Sequence, residues 1–435
     1  GKAFKTFSYL TPYLDYDKRF AQIEKLQENL KLRGFDVDAT ELKSSWDFYR
    51  DIDRKRLKIE SKRDAVAHRM NKLMKLKGSN PEVEKELSGL STQAKVLKHD
   101  VRAVKEILWE LEESVIPQIL KLPNDLDNST PAESEIVLKI VGSQSKQNST
   151  KSHLEIGKNL GVLDYLNQVH FYLCNQAALF EIAVQAYASK LLNDEGIFRV
   201  AGTDFAKSLL VEAAGLDHED PFASFILKDS GETNSADSSS NLHLIGGASL
   251  ISFLAMHTKQ LINPKHFPLR YYATGRSYLP SVEQEIELGL FGACQTSAIH
   301  CMSMVHKVDS PEYRTEFEKL FNAVSMLYDG FERHYRIVQR PATQLEPAEC
   351  SRVAFEMWSG YYQEYVEVGH ISTYGDFLSK RLLIAYQTPT GRGYPAIISG
   401  TILNVNRLLG CLLEENTEEF IVPQCVKGFM PFGDV

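Results

Sequence analysis

EVGHISTYGDFLSKRLLIAYQTPTGRGYPAIISGTILNVNRLLGCLLEEN, residues 367 to 416, decides the reading of this chain. Gly375 to Gln387 predicts a strand, Thr390 to Pro395 a Gly-rich loop, and the remainder a helix entered through small residues. Such a helix sets Leu403, Arg407 and Gly410 on one face at i, i+4 and i+7, so that a single Arg projects from an apolar wall. A cation in an apolar setting calls for an anion. Ser399, Gly400 and Thr401 at the predicted N-terminus would turn free amides toward the same ligand. An ordinary salt-bridged Arg beside a surface loop fits these residues equally well.

Composition sets the frame around this stretch. A chain of 435 residues exceeds what one hydrophobic core usually serves, so two domains are expected. Its 43% hydrophobic and 24% charged residues are those of a globular protein, and no apolar run is long enough to span a membrane. Cys174, Cys294, Cys301, Cys350, Cys411 and Cys425 lie far apart without a C-x-x-C, which predicts a reducing compartment and no structural zinc. Cys294, His300 and Cys301 lack a fourth ligand, so no metal is expected there. The start Gly1-Lys2-Ala3-Phe4-Lys5 has no initiator Met, signal peptide or Arg-rich transit helix, and a processed or trimmed chain is expected.

The N-terminal third reads as helix. Phe20, Ile23, Leu26 and Leu30 carry a short helix that Gly34 stops. From about Ser45 to Lys77, Ile52, Ile59, Val66 and Leu73 recur every seven residues; Val83, Leu87, Leu90, Ala94, Leu97, Val101, Val104, Leu108, Leu111 and Val115 alternate by four and three. With Gly78-Ser79-Asn80-Pro81 as the turn, these predict an antiparallel coiled-coil arm over about residues 45–116, on the order of 45 Å long. Between Asp51 and Gly78, Arg54, Lys55, Arg56, Lys58, Lys62, Arg63, Arg69, Lys72, Lys75 and Lys77 face only four acids, a net +6 that leaves −14 for the rest of a chain totalling −8. A basic rod on an acidic body fits a phosphate-bearing partner such as RNA; a merely solvated coiled-coil face fits the same charges.

The arm ends at Pro117, and residues 121–152, rich in Pro, Asn, Ser and Asp around a short strand-like IVLKIV, are expected to be a linker. Residues 1–120 are then a helical domain and 153–435 a second domain. Residues 169–192 predict a turn or strand feeding a helix with Leu179, Ile182, Ala183, Ala186 and Leu191 inward. The polar insert 229–241 is expected to be mobile. Strands and helices follow without βαβ regularity, which predicts an α+β fold with an antiparallel sheet flanked by helices.

The helical N-terminus, the arm, its exit (Ile116 to Asn124), HLEIGKNLGVLDYLN (His153 to Asn167), FYLCNQAALFEIAV, SGTILNVNRLLGCLLEEN and FIVPQCVKGFMPF together resemble the seryl-tRNA synthetases. The resemblance implies a class II aminoacyl-tRNA synthetase-like fold, dimeric, whose arm holds tRNA(Ser). Within it, Glu367 matches the family's metal- and nucleotide-binding Glu, and Arg407 the motif 3 Arg that contacts ATP phosphates.

Other family positions are degenerate. The serine-binding Thr-x-Glu loop falls on Gly247-Ala248-Ser249; the motif 2 Arg and Glu fall on Leu279 and Ser281, with Arg276 on the wrong strand phase; a contacting Glu is His300, an Arg is Gly292, a His is Cys294; and the Asn of Asn-Gly-Ser is Ser399. The motif 1 Pro is absent around Val200 to Thr203. Activation of serine needs charge-matched groups around the reacting phosphate. The resemblance therefore implies a pseudoenzyme with no catalytic residues, no retained cofactor or metal, and vestigial Glu367 and Arg407, most like an inactive insect mitochondrial group of the family. That group implies a mitochondrial matrix protein forming a heterodimer with the active mitochondrial seryl-tRNA synthetase. A divergent active enzyme and an RNA-independent scaffold are the alternatives.

Overall fold

The computed structural model describes residues 13, 15–75, 81–143, 149–227, 241–280 and 283–431. Lys77, Ser281, the predicted turn at 78–80 and nearly all of the insert 229–241 lie outside the described residues. The chain divides into two compact units, one containing residues 16–27 and 36–122, the other 28–35 and 123–435.

In the first unit, two long helices, α1 (Ala39–Met74) and α2 (Pro81–Leu120), pack along each other. Helix α1 begins ahead of the expected Ser45, because the Asp38 carboxylate caps it by accepting from the amides of Thr40 and Glu41. Helix α2 continues past Pro117 to Leu120; in a last turn the missing N–H of a proline costs little. The seam follows the sequence pattern, since every predicted α2 position from Val83 to Val115 is at least partly buried. On α1 the positions between the aliphatic heptads include Arg56 and Arg63, which are also partly buried. Contacts Tyr49 with Glu112, Glu60 with Lys105 and Arg69 with Glu86 run in opposite chain directions, so the pair is antiparallel. At the base, Tyr16, Phe20 and Trp46 cluster with ring centroids 6.1–6.3 Å apart, and the Tyr16 hydroxyl donates to the Ile119 carbonyl.

The second unit is built on an eight-stranded sheet. In chain order its strands are β1 (Ile136–Val141), β2 (Phe198–Arg199), β3 (Leu269–Tyr278), β4 (Gln295–Val305), β5 (Tyr335–Gln339), β6 (Ser351–Ser359), β7 (Glu364–Gly375) and β8 (Ala396–Asn404). Their spatial order is β1-β5-β6-β7-β8-β4-β3-β2, antiparallel throughout except that β2 runs parallel to β3. Strand β1 lies inside the segment 121–152, so the expected linker contributes an edge of the sheet. One face is covered by helices α3 (Asn175–Asp194), α4 (Pro311–Gly330) and α5 (Val405–Leu413), with Phe180, Tyr272, Tyr328, Phe355, Ile402 and Leu409 buried in the core between. Ala177, Phe180, Ala183, Val184, Ala188 and Leu192 are the buried side of α3; Ile182 and Ala186, expected inward, face out. The opposite face meets a second core around Phe253, Leu254, Leu378 and Leu382.

Two predicted elements in the opening stretch are corrected. Gly375 to Gln387 is not one strand: β7 ends at Gly375, a helix occupies Phe377–Leu382, and a strand resumes at Ala385. Leu378 and Leu382, one turn apart, are buried, and Leu383 ends the helix in a left-handed conformation. Ala396–Asn404, read as the start of a helix, is the central strand β8, and α5 begins only at Val405, where the Asn404 side chain accepts from the Arg407 amide. Ile397, Ile398, Ile402 and Leu403 are all fully buried, and burial on both faces removes the alternation that marks a strand.

Strands β7 and β8 pair at Ser372–Gly375 and then pass closely where a side chain is missing. A Cβ on Gly400 would lie 2.1 Å from the His370 carbonyl oxygen, and one on Gly369 would lie 2.2 Å from that of Ile402. Gly400→Ala is therefore expected to destabilise the second unit by on the order of 3 kcal/mol, read as a lower urea midpoint for its transition with an unchanged slope.

Candidate functional site

The sheet face carrying the even-numbered residues of β5 and β6 holds a row of charge, half-buried except for the buried Glu356. Arg336 and Arg340 project from β5, or just past its end, and Arg352 and Glu356 from β6, all at the period of two that places strand residues on one face. Glu367 and His370 join them from β7, where a bulge shifts the register between Phe355 and Glu356. Glu135 reaches in from the residue before β1.

At the centre of the row is Arg340. Its Nη1 donates to Glu135 at 3.0 Å, its Nη2 to both Glu356 at 2.6 Å and Glu367 at 2.8 Å, and its Nε to Glu367 at 3.2 Å. Arg336 bonds Glu356 at 2.6 Å and Glu135 at 2.7 Å, and Arg352 bonds Glu349 at 2.9 Å while lying 3.7 Å from Glu367. His370 Nδ1 stands 3.1 Å from the other Glu367 oxygen. Burial by itself would raise the Glu367 carboxyl, but the His370 hydrogen bond and the charges of Arg352, His370 and Arg340 hold it well below the usual carboxylate range. Glu356 is shifted the other way, raised because burial outweighs Arg340 and Arg336.

Arg407, half-buried on α5, reaches no carboxylate among the described residues. Its Nε donates to the Phe291 carbonyl and its Nη1 to the Glu367 backbone carbonyl, both at 3.0 Å. Arg407 and Glu367 are thus neighbours, joined through the main chain and not through their charges.

Next along the sheet is His300, on β4. Its Nε2 lies 2.8 Å from Ser399 Oγ and its Nδ1 3.0 Å from Thr401 Oγ1; the Ser399 hydroxyl donates to the Cys301 carbonyl, so the ring nitrogen facing it carries the proton. Phe253 covers the ring at 5.8 Å. Burial lowers this histidine to about 3, helped by His370, which keeps it neutral.

Ser399 and Thr401 therefore serve a buried imidazole in mid-strand and present no helix-terminus amides. Cys301 points to the opposite face, which separates it from His300, and all six cysteines are free. Among the described residues no three His, Cys, Asp or Glu side chains are arranged to hold a metal ion.

The remaining expected positions are spread around this row. Ser249 caps the helix Leu250–His257, and Gly247 donates its amide to Asp204. Leu279 is exposed beyond the end of β3. Arg276 faces α3, where it pairs with Glu181 at 3.0 Å, and so is turned away from the His300 face. Sequence reasoning missed Arg336, Arg340, Arg352, Glu135, Glu349, Glu356 and His370. The signal available was the same-face spacing of Arg336 with Arg340 and of Arg352 with Glu356 in otherwise apolar strands.

On the arm, the basic residues fall into two classes. Arg54 pairs with Asp51, Arg56 with Asp53 and Glu60, Arg63 with Asp64, and Arg69 with Glu86. Lys55, Lys58, Lys62, Lys72 and Lys75 are exposed and have no ion-pair partner among the described residues. Lys55, Lys58, Lys62 and Lys72 follow one another at spacings that form a single stripe along α1, while Asp53 and Glu60 lie on the other side of the seam.

Residues 237–416 match the model of the tRNA synthetase class II core domain (G, H, P, S and T). The likeness is to the seryl-tRNA synthetases, over nearly the whole chain. A serine–tRNA synthetase-like protein, Slimp, of Drosophila melanogaster is 29% identical over 95% of this chain and 87% of its own. The mitochondrial serine–tRNA ligase of Mus musculus is 23% identical over 96% and 83%. The seryl-tRNA synthetase of Pyrococcus horikoshii, solved with ATP, superposes with a TM-score of 0.78 at 18% identity, covering 97% and 98%. The fold is thus that of a class II synthetase, an antiparallel sheet with flanking helices and a helical arm.

Acid should report on His300. Its folded value lies below the unfolded one, so the unfolded chain binds the proton first, and stability is present above about pH 6.5 and lost as pH falls toward 3. Wild type is expected to lose on the order of 2–3 kcal/mol more than His300→Gln between pH 7 and pH 4, measured by urea unfolding at each pH. An equal loss in both would contradict the neutral, buried assignment.

Proposed function

We propose that this chain is a non-catalytic paralogue of seryl-tRNA synthetase that works in the mitochondrial matrix, pairs with the active mitochondrial enzyme and presents its arm to tRNA(Ser). One observation carries the loss of catalysis. Glu367, which the resemblance equates with the metal- and nucleotide-binding carboxylate, is bonded by Arg340 and His370 and faced by Arg352 of its own chain. Such a carboxylate has little charge left for a magnesium ion that would carry a triphosphate. The neutral His300 standing in for a Glu, Leu279 for the motif 2 Arg, and Gly247 and Ser249 for the Thr-x-Glu loop point the same way, because each such group supplies a few kcal/mol of preorganised stabilisation.

The arm supports the binding half of the reading. Four exposed lysines on α1 and Lys75 at its C-cap, with no ion-pair partner among the described residues, would release counterions from a phosphate backbone without first breaking ion pairs. Similarity to the mouse mitochondrial ligase and to the fly synthetase-like protein supports the compartment and the partner class. Tyr172, Ile182 and Phe198, each 58–70% exposed, supply apolar surface that a partner subunit would cover.

The quadruple variant K55E/K58E/K62E/K72E tests the arm. It is expected to bind tRNA(Ser) at least tenfold more weakly than wild type at 0.1 M salt, with a log–log salt slope shallower by about 3, while still co-purifying one-to-one with the mitochondrial synthetase. Unchanged tRNA affinity would favour an RNA-independent scaffold, and a homodimer indifferent to the synthetase would contradict the pairing.

A further inference from the structure

The resemblance implies a divalent cation at Glu367, and the residues present do not fit one. A metal of this kind takes carboxylate oxygens whose charge is otherwise unspent. Here both Glu367 oxygens are engaged, one by Arg340 and the other by His370, with the Arg352 guanidinium beyond. A cation bound to Glu367 would stand beside two guanidinium groups, at distances where like charges repel strongly in a poorly solvated setting.

We propose that the Arg340 guanidinium is the resident cation of this protein, a covalently attached replacement for a metal ion, and that its removal opens a binding site for a divalent cation. The coordination supports this directly. Three carboxylates from three separate elements, Glu135 ahead of β1, Glu356 on β6 and Glu367 on β7, converge on one guanidinium at 2.6–3.2 Å. A single nitrogen, Nη2, bridges Glu356 and Glu367, as a metal ion bridges two carboxylates. Arg340 is only 14% exposed, so the acids around it have little water to screen them if it is lost. Arg336 can satisfy one oxygen of Glu135 and one of Glu356, and Arg352 stays with Glu349, so neither can replace the contact to Glu367 made by Nη2. With Arg340 truncated, excess negative charge at Glu356 and Glu367 draws in either protons or a hard cation that prefers oxygen ligands.

This inference extends the proposed loss of catalysis but is read by a different measurement, on the isolated chain without tRNA, serine or a partner. Manganese(II) binding is followed by the loss of the free-ion electron paramagnetic resonance signal, for wild type, Glu367→Gln, Arg340→Ala, and Arg340→Ala with Glu367→Gln. Wild type is expected to bind no manganese in the millimolar range. Arg340→Ala is expected to bind about one ion, with an affinity at least tenfold weaker once Glu367→Gln is added, and its melting temperature is expected to rise with manganese where that of wild type does not. Stoichiometric binding by wild type that Glu367→Gln abolishes would overturn the proposal. So would a folded Arg340→Ala variant that binds none. If Arg340→Ala does not fold, the wild-type titration with its Glu367→Gln control still decides between a resident guanidinium and a retained metal site.

Discussion

A carboxylate half-buried among arginines on a sheet face has to be neutralised, and in this protein the neutralising charge is supplied from within. Glu367 sits on β7 with Arg340, Arg352 and His370 around it, and the same arginines tie it to Glu135, Glu356 and Glu349. The network spans β5, β6, β7 and the residue before β1, and so fixes the relative position of four segments. Removing one partner of a buried pair usually costs more than the pair contributes, because the remaining charge is left in a poor solvent. The network is therefore self-perpetuating: each arginine requires its acids, and each acid its arginine.

The rest of the face follows from that constraint. Other polar groups of the sheet and of α5 are likewise engaged by the chain itself. His300 stays neutral between two hydroxyls under Phe253, Arg407 holds two main-chain carbonyls, and Arg276 pairs with Glu181 on the other face. Glycines at 369 and 400 keep the crossing of β7 and β8 tight enough for Arg407 to reach the Glu367 carbonyl. In our proposal the body keeps the architecture of an activating enzyme for its surfaces, and the arm keeps exposed lysines for its charge.

Much of this architecture was legible in the sequence, and the exceptions have physical causes. The arm was readable because a half-buried coiled-coil seam leaves a strict heptad trace in Ile52 through Val115. The sheet was less so. Strand β8 is buried on both faces, so Ile397 to Leu403 carry no alternation, and the small residues Ser399 to Thr401 imitate a helix start. Leu378 and Leu382 form a helix only because the core beneath them accepts one turn. The charges that neutralise Glu367 could not be read from the sequence. Arg340 and Arg352 lie 27 and 15 residues before Glu367 in the sequence, and only strand pairing brings them to it. Which arm cations are free was also hidden, since it depends on whether Asp51, Asp53, Glu60, Asp64 and Glu86 lie within reach.

The central claim is that a site neutralised by its own arginines does not activate an amino acid. Serine-dependent exchange of pyrophosphate into ATP by the purified chain tests it most directly, with an active seryl-tRNA synthetase assayed alongside. The account predicts no exchange above the enzyme-free background at saturating serine, ATP and magnesium. Serine-dependent exchange that is abolished by Glu367→Gln would contradict it.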